Sequence, residues 1–424
     1  MAPLAPDRGI RGVSGLRPCF ADMHVHIGSS GDGHPVKISA SRNLTFQAIA
    51  EEASERKGIA LLGVIDCHSP AVQADIDRLL EKGEMSEVPG GGIRYRDTVI
   101  VLGTEIEVRE TGWGGGPYHL LAYLPSLAAM KEWTAWMTPR MKNVTLSSQR
   151  IRATGRELQR ELLARGGLLV PAHVFTPHRG LLGCSADRLS DRLDPDGIAA
   201  IELGLSADSA MAGRLSQLDR YPVLTNSDAH STGMIGRECN ELLIGEPSFA
   251  EFATALQGLD GRQITANLGL HPKLGKYHAS FCPSCRKPLP AGAADEVCPS
   301  CGNPRLVTGV DVRIARLADR DTPVQPAGRP PYRHQVPLGF FPGVGPKMRE
   351  RLLREVGTEM DILHRIDREN IAAVAGDRIA VAILDARAGR LQLTAGSGGT
   401  YGRIGERSVA RTGSRTGAET EDRE

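Results

Sequence analysis

The sequence lacks any run of about eighteen apolar residues, the length a bilayer demands of a helix, so nothing in it spans a membrane. It lacks a secretory signal, since residues 1–20 hold prolines and arginines but no continuous apolar core. No internal repeat occurs, and the 49 glycines and 27 prolines are not periodic, which excludes solenoid and collagen-like folds. Aromatic residues are scarce at 4%, so the apolar 41% that must build the core is mostly aliphatic. Net charge is almost absent at +1 and by itself names no partner. Nor do the eight cysteines form a disulfide framework. Four are scattered (Cys19, Cys67, Cys184, Cys239) and four crowd near residue 290, the usage of a metal site in a reducing compartment.

What is present is length and alternation. A chain of 424 residues exceeds one ordinary domain and predicts two or three. Residues 1–18 read as a loose leader. From 19 to about 270, short apolar strands alternate with amphipathic helices. Strands are predicted at Cys19–His26, Ile59–Asp66, Thr98–Gly103, Tyr118–Leu124, Gly167–His173, Ile198–Leu203 and Pro222–Thr225. A helix is predicted over 45–57, where Phe46, Ile49, Ala50 and Ala53 precede a capping Gly58. Another is predicted over 149–165, where Ile151, Leu158, Leu162 and Leu163 precede Gly166. Buried strands alternating with helices predict an α/β fold with a parallel sheet or barrel. Residues 271–320 hold the cysteine module and 321–337 form a stiff Pro-rich linker. Residues 338–403 return to helical patterning, and the polar 404–424 read as a disordered tail. Charge divides along the same lines. Residues 1–269 carry 27 basic against 32 acidic residues, whereas 270–340 carry 10 against 5. The basic segment suits contact with a polyanion, or simply a solvated surface.

Of the twelve histidines, six lie at or just beyond predicted strands, beside carboxylates. In Asp22-Met-His24-Val-His26 both imidazoles face one side, because alternate strand residues point the same way. Such a pair is ready to bind metal. Asp32 follows in a glycine-rich loop, with His34 as its competitor. Asp66 and His68 end the second strand and compete for one role. Glu105 follows the third strand, His119 opens the fourth, and His173 closes Pro171-Ala-His173. Asp228 and His230 follow the last strand in Asn226-Ser-Asp228-Ala-His230. Catalytic groups of an α/β barrel gather at the carboxyl ends of its strands. One strand-end histidine is ordinarily structural; the repeated order of imidazole and carboxylate carries the metal reading. Cys67 reads as a small buried residue and not as a nucleophile.

The series resembles the nine-ligand metal site of polymerase-and-histidinol-phosphatase (PHP) proteins. That resemblance implies a distorted seven-stranded α/β barrel and a metal-dependent hydrolase of phosphate esters. It implies two or three divalent metals (Zn, Mn, Mg or Fe) on His24, His26, Asp32, His68, Glu105, His119, His173, Asp228 and His230, with Asp66 as the alternative to His68. His24, His26, Asp228 and His230 would stand at the reaction centre. Mixed His/carboxylate sites suit Zn²⁺ or Mn²⁺, and metals about 3.5–4 Å apart bridge a phosphate, activate water and stabilise the leaving oxygen.

Two further motifs lie beyond the histidine series. Cys282-Pro-Ser-Cys285 and Cys298-Pro-Ser-Cys301 are separated by twelve residues, a spacing that binds one structural Zn²⁺ through four thiolates. This ribbon serves either to fold a core-poor segment or to present Arg286, Lys287 and Arg305. Phe341-Pro-Gly343-Val344-Gly345-Pro-Lys347 then precedes the apolar Met348, Leu352 and Leu353. It resembles a helix-hairpin-helix turn, whose backbone N–H groups hold phosphate without reading bases. A plain helix-capping turn is the simpler reading. Ala372–Leu391 offers a paired second hairpin.

In order and in local sequence the chain resembles the endonuclease Q family of PHP-type DNA-repair enzymes. The resemblance rests on Ile65-Asp66-Cys67-His68, on Gly269-Leu-His271-Pro-Lys273-Leu-Gly-Lys276-Tyr277-His278 and on Gly396–Gly402, and covers about residues 19–405. It implies cleavage of DNA 5′ to uracil, hypoxanthine, xanthine or an abasic site, leaving a 3′-hydroxyl and a 5′-phosphate. DNA containing deaminated bases would be the partner and the nucleoid-bearing cytoplasm the location. A small-molecule PHP phosphatase, or a non-catalytic nucleic-acid-binding protein with a degenerate barrel, are the alternatives.

Overall fold

A computed structural model describes residues 15–111, 115–289, 297–390, 392–394 and 403–405. Residues 1–14 of the expected leader, the Gly396–Gly402 segment and residues 406–424 of the expected tail lie outside them.

The strands are β1 (Arg17–Val25), β2 (Leu61–Val64), β3 (Ser86–Glu87), β4 (Ile93–Tyr95), β5 (Thr98–Val108), β6 (Tyr118–Leu124), β7 (Leu168–Pro171), β8 (Ile201–Glu202), β9 (Val223–Leu224), β10 (Cys239–Ile244), β11 (Gln263–Gly269) and β12 (Tyr332–His334). The helices are α1 (Phe46–Glu51), α2 (Pro70–Glu81), α3 (Leu127–Met137), α4 (Gly155–Leu163), α5 (Ser209–Ala212), α6 (Phe249–Gln257), α7 (Val310–Leu317), α8 (Pro346–Glu355), α9 (Glu359–His364), α10 (Arg368–Ala375) and α11 (Asp377–Arg387). Among the described residues no helix is long and apolar enough to cross a membrane.

The seven expected strands all exist, but the sheet they build is mixed and not parallel. β1, β2 and β5 run parallel, whereas β6 and β7 on one side and β10 and β11 on the other are antiparallel. β10 and β11 escaped the sequence reading. β8 and β9 form a separate parallel pair. It is tied toward β7 by Ala199 N–H to Leu169 O (2.9 Å) and toward β11 by the Asn267 amide to Val223 O (2.8 Å). Alternation along β1 puts Ala21 and Met23 into an apolar cluster with Leu61, Val101 and Tyr123. Asp22, His24 and His26 are thereby left on the opposite face.

Local chemistry explains where the helices begin and stop. Thr45 accepts from Ala48 N–H and starts α1, which widens into a π-helical turn, Glu52–Lys57, before Gly58 ends it at φ +74°. The helix expected over 149–165 is shorter. Arg150 bridges Glu107 in extended conformation, and a capping box between Thr154 and Glu157 starts α4 only at Gly155. The Pro-rich stretch is no free spacer either, since β12 within it pairs with β11. The helical region docks on the π turn: Lys57 pairs with Glu359 at 2.6 Å with both buried, and Arg56 grips Glu350 at 2.6 and 2.8 Å. Ahead of the Gly343–Gly345 hairpin stands only a 3-10 turn, Leu338–Phe340, while the second hairpin joins α10 to α11 through Gly376.

Candidate metal centre

β1 delivers His24 and His26 side by side, with ring centroids 5.3 Å apart. β5 runs beyond its predicted end to Val108 because it pairs with β6. Glu105 therefore sits inside a strand, diagonal to His119 across the ladder, and the two meet at 2.7 Å. His173 Nε2 lies 3.3 Å from the same Glu105 oxygen. Asp228 reaches both rings of β1, at 3.5 Å from His24 Nε2 and 3.4 Å from His26 Nε2. His173 and Asp228 occupy the left-handed region at φ +31° and +46°, backbone strain of a kind that concentrates at functional sites. Gly204, at φ +76°, makes room for His173: a Cβ there would stand 2.8 Å from that of the histidine.

The donors gather as two groups of three, His24/His26/Asp228 and Glu105/His119/His173, each with ligand atoms within 4.8 Å of one another. His230 lies beside them, its Nδ1 donating to Asp228 O at 3.0 Å. Five of these residues and His230 line a cavity of about 620 Å³, with Lys37, Arg179, Arg237, Lys276 and Tyr277. Two buried carboxylates orient the rings. Glu202 accepts from His24 Nδ1 at 2.9 Å and Asp66 from His26 Nδ1 at 3.0 Å, so each Nε2 faces the centre. That is how metal-ligating histidines are ordinarily held. His24 Nε2 is buried without a hydrogen-bond partner.

Charge points the same way. Burial opposes a charged His24, but Glu202, Asp228 and Glu105 outweigh it and raise the ring to about 10. Burial also opposes ionisation of Glu105 and Asp228, yet neighbouring His119 and Lys37, or His24, His26 and His230, hold them well below the usual carboxylate range. Asp66 is lowered to about 2 against its burial, by His26 and Lys37. Three buried carboxylates, Glu202, Asp66 and Glu105, and the one-third exposed Asp228 thus gather with the imidazoles, an arrangement rich in nitrogen and oxygen donors. Divalent cations fit it.

The four cysteines meet as well. Sγ atoms are 3.5 Å apart for Cys282 and Cys301 and 3.7 Å for Cys285 and Cys298. A disulfide requires about 2.05 Å, whereas a tetrahedron of Zn–S bonds of about 2.3 Å sets sulfurs about 3.8 Å apart. Both knuckles close alike: Arg286 N–H to Cys282 O and Gly302 N–H to Cys298 O, each at 2.8 Å. The closing residues have φ of +56° and +69°.

No protein-family model matches the chain. It is 47% identical over 390 residues to the uncharacterized protein YqxK of Bacillus subtilis (strain 168), covering 92% of this chain and 100% of YqxK. Its structure matches that of the lesion-specific endonuclease PfuEndoQ from Pyrococcus furiosus with a TM-score of 0.78 at 30% identity, over 92% of this chain and 95% of that one. It matches endonuclease Q in complex with a 27-mer duplex carrying an abasic lesion at the active site with a TM-score of 0.79 at 31% identity, over 92% and 96%. The chain belongs to the endonuclease Q family.

Within this endonuclease Q fold, not every expected ligand joins the centre. Asp32 is two-thirds exposed and lies 3.5 Å from Arg78, and His34 is exposed in the same loop. Asp66 spends one oxygen on His26 and Ile27 N–H, while its other oxygen is buried without a partner. His68 is buried, donating from Nε2 to Leu146 O at 3.2 Å, with Nδ1 unpartnered. In the hairpin, Val344 is buried and Gly343 takes φ +91°, while Gly345 caps α8 and Lys347 is exposed. Sequence reasoning missed Glu202, Lys37 and Asn226. Glu202 had a signal, as a carboxylate at a predicted strand end, but no histidine beside it drew the eye. Lys37, 3.2 Å from Glu105 and 2.6 Å from Ser148, had none.

Proposed function

We propose that the chain is a metal-dependent DNA endonuclease of lesion repair, which hydrolyses the phosphodiester 5′ to a deaminated base or an abasic site. The observation that carries this reading is the pair of three-donor groups lining one cavity in a chain of the endonuclease Q family. In this reading the strands close as a PHP-type barrel, the four thiolates hold one structural Zn²⁺, and the hairpin around Gly343, Val344, Gly345 and Lys347 grips backbone phosphate.

His24, His26 and Asp228 hold one metal and Glu105, His119 and His173 another, with His230 at their edge. When bound, such metals supply Lewis acidity toward water and a phosphate oxygen. Glu202 and Asp66 keep the His24 and His26 rings in the tautomer that leaves Nε2 free to bind. Asp228, which reaches the Nε2 atoms of both rings, orients water at the edge of the cavity. Lys37, Arg179, Arg237 and Lys276 neutralise the incoming polyanion. A nucleotide drawn into the cavity leaves its base stack at a cost of a few kcal/mol, least for a damaged or unpaired base.

The test is Asp228→Asn on duplexes carrying one uracil, one hypoxanthine or one abasic site. Nicking on the 5′ side is expected to vanish while duplex binding persists. Full nicking by that variant would overturn the assignment. Turnover of free phosphate monoesters with no cleavage of these duplexes would identify a small-molecule phosphatase instead.

A further inference from the structure

Arg349 stands in the first turn of α8, where the helical region meets the loop that comes after His230. A Cβ on Gly233 would lie 3.8 Å from its Nη1, and one on Gly339 4.0 Å. Two glycine backbones therefore bracket the guanidinium. Both brackets are 3-10 turns, Thr232–Met234 and Leu338–Phe340. A buried ion pair holds the turns side by side: Lys57 donates to Gly233 O at 3.1 Å and pairs with Glu359, which accepts Leu338 N–H at 3.0 Å.

The Arg349 side chain is about two-thirds withdrawn from solvent, at 34% exposure. Yet its guanidinium makes no hydrogen bond among the described residues, and Nε is buried without a partner. The carboxylate nearest to it, Glu350, is 4.0 Å away and already engaged by Arg56 at 2.6 and 2.8 Å. A guanidinium half removed from water with its donors unspent is costly until an anion arrives, and its planar fork matches phosphate.

The same two turns carry exposed apolar side chains. Met234, 36% exposed, also lines the catalytic cavity, and Phe340 is 45% exposed. A small inorganic anion has no use for such neighbours. A nucleotide does, because it joins a phosphate to a flat apolar face that stacks on Phe or Met.

We propose that Arg349, Met234 and Phe340 form a nucleotide seat beside the catalytic cavity. Arg349 takes a backbone phosphate of the DNA, and Phe340 with Met234 covers the face of the base left unstacked when its neighbour enters the cavity. The seat rests on the reading of the chain as a DNA endonuclease.

The test uses the full chain in an Asp228→Asn background, so that DNA stays intact. The probe is a duplex with an abasic site and 2-aminopurine next to it, and binding is measured across a salt series. Arg349→Gln is expected to lower the slope of log K against log[salt] by about 0.9, the value of one phosphate contact, and Arg349→Lys to restore it. Phe340→Ala is expected to keep the slope and to cut the change in 2-aminopurine emission on binding at least about twofold, as a lost stacking partner would. A parental slope in Arg349→Gln overturns the phosphate contact, and a parental emission change in Phe340→Ala overturns the stacking one. If the parent itself binds no abasic duplex, the endonuclease reading fails and the seat with it.

Discussion

Replacing Glu202 with glutamine tests how the metal-facing rings are held. Glu202 Oε1 accepts from His24 Nδ1 at 2.9 Å and from Asn226 Nδ2 at 2.7 Å. Oε2 lies 3.1 Å from His24 Nδ1 and accepts His173 N–H at 2.7 Å. A glutamine has the same shape but one oxygen. Wherever its amide nitrogen turns, it meets a donor: Asn226 Nδ2 on one side or His173 N–H on the other. Asn226 cannot rotate to help, because its Oδ1 accepts from Met23 N–H at 2.9 Å and from Asn240 Nδ2 at 3.1 Å. One buried donor is left unmatched, at a cost of about 1–3 kcal/mol. The new amide also offers a hydrogen to His24 Nδ1, which would send the ring proton to Nε2 and close the lone pair a metal needs. Loss of such an outer partner weakens metal binding about 10–100-fold, or about 1.4–2.7 kcal/mol. The assay is a chelator-competition titration of metal into stripped protein, with circular dichroism to verify the fold. A metal affinity within about twofold of the parent, well short of the factor expected, would refute the claim that Glu202 sets the tautomer of His24.

Two other outcomes concern groups away from the centre. Cys285→Ser is expected to lose one zinc per chain by elemental analysis while metal on the histidine–carboxylate groups remains; an unchanged zinc count would remove the four-thiolate site. His364 donates from Nε2 to Gln335 at 2.9 Å, and burial, with Arg387, Arg333 and Arg365 nearby, lowers its ring to about 4. Below about pH 6.5 the unfolded chain takes up this proton and the folded one does not. Stability from this residue is therefore complete above pH 6.5 and lost as pH falls through 4, on the order of 3 kcal/mol. His364→Gln should flatten the rise of unfolding free energy across that window in urea titrations; an unchanged pH slope would contradict it.

The strand-end histidines were legible because period-two alternation and the end of an apolar run are local properties. β1 needed nothing more than His24-Val-His26. Glu105 was found for a partly wrong reason: it lies within β5, which antiparallel pairing with β6 extends, and pairing between distant segments leaves no mark in a window of sequence. Asp32 had the right residue type at a plausible spacing, but Gly31 and Gly33 let its loop swing to Arg78. Glu202 stood at a predicted strand end, but its hold on His24 comes from a distant strand, and Lys37 meets Glu105 and Ser148 only in three dimensions. The cysteine knuckles were the most legible of all, since their spacing and their geometry are nearly the same statement.

The π turn at Glu52–Lys57 has a consequence for where the chain would cut. Each residue added to a helix rotates the downstream chain by about 100°. The wider turn aims Lys57 at Gly233 and Glu359 together; a regular α-helical path would point that ammonium elsewhere. One lysine thus fastens the loop after His230 to the 3-10 turn before the hairpin. Under the proposed function, the distance from a phosphate held by the hairpin to the metal donors would be set by this three-way rivet and not by the Pro-rich stretch between them. The protein carries its own ruler, and its zero mark is a single bulged turn of helix.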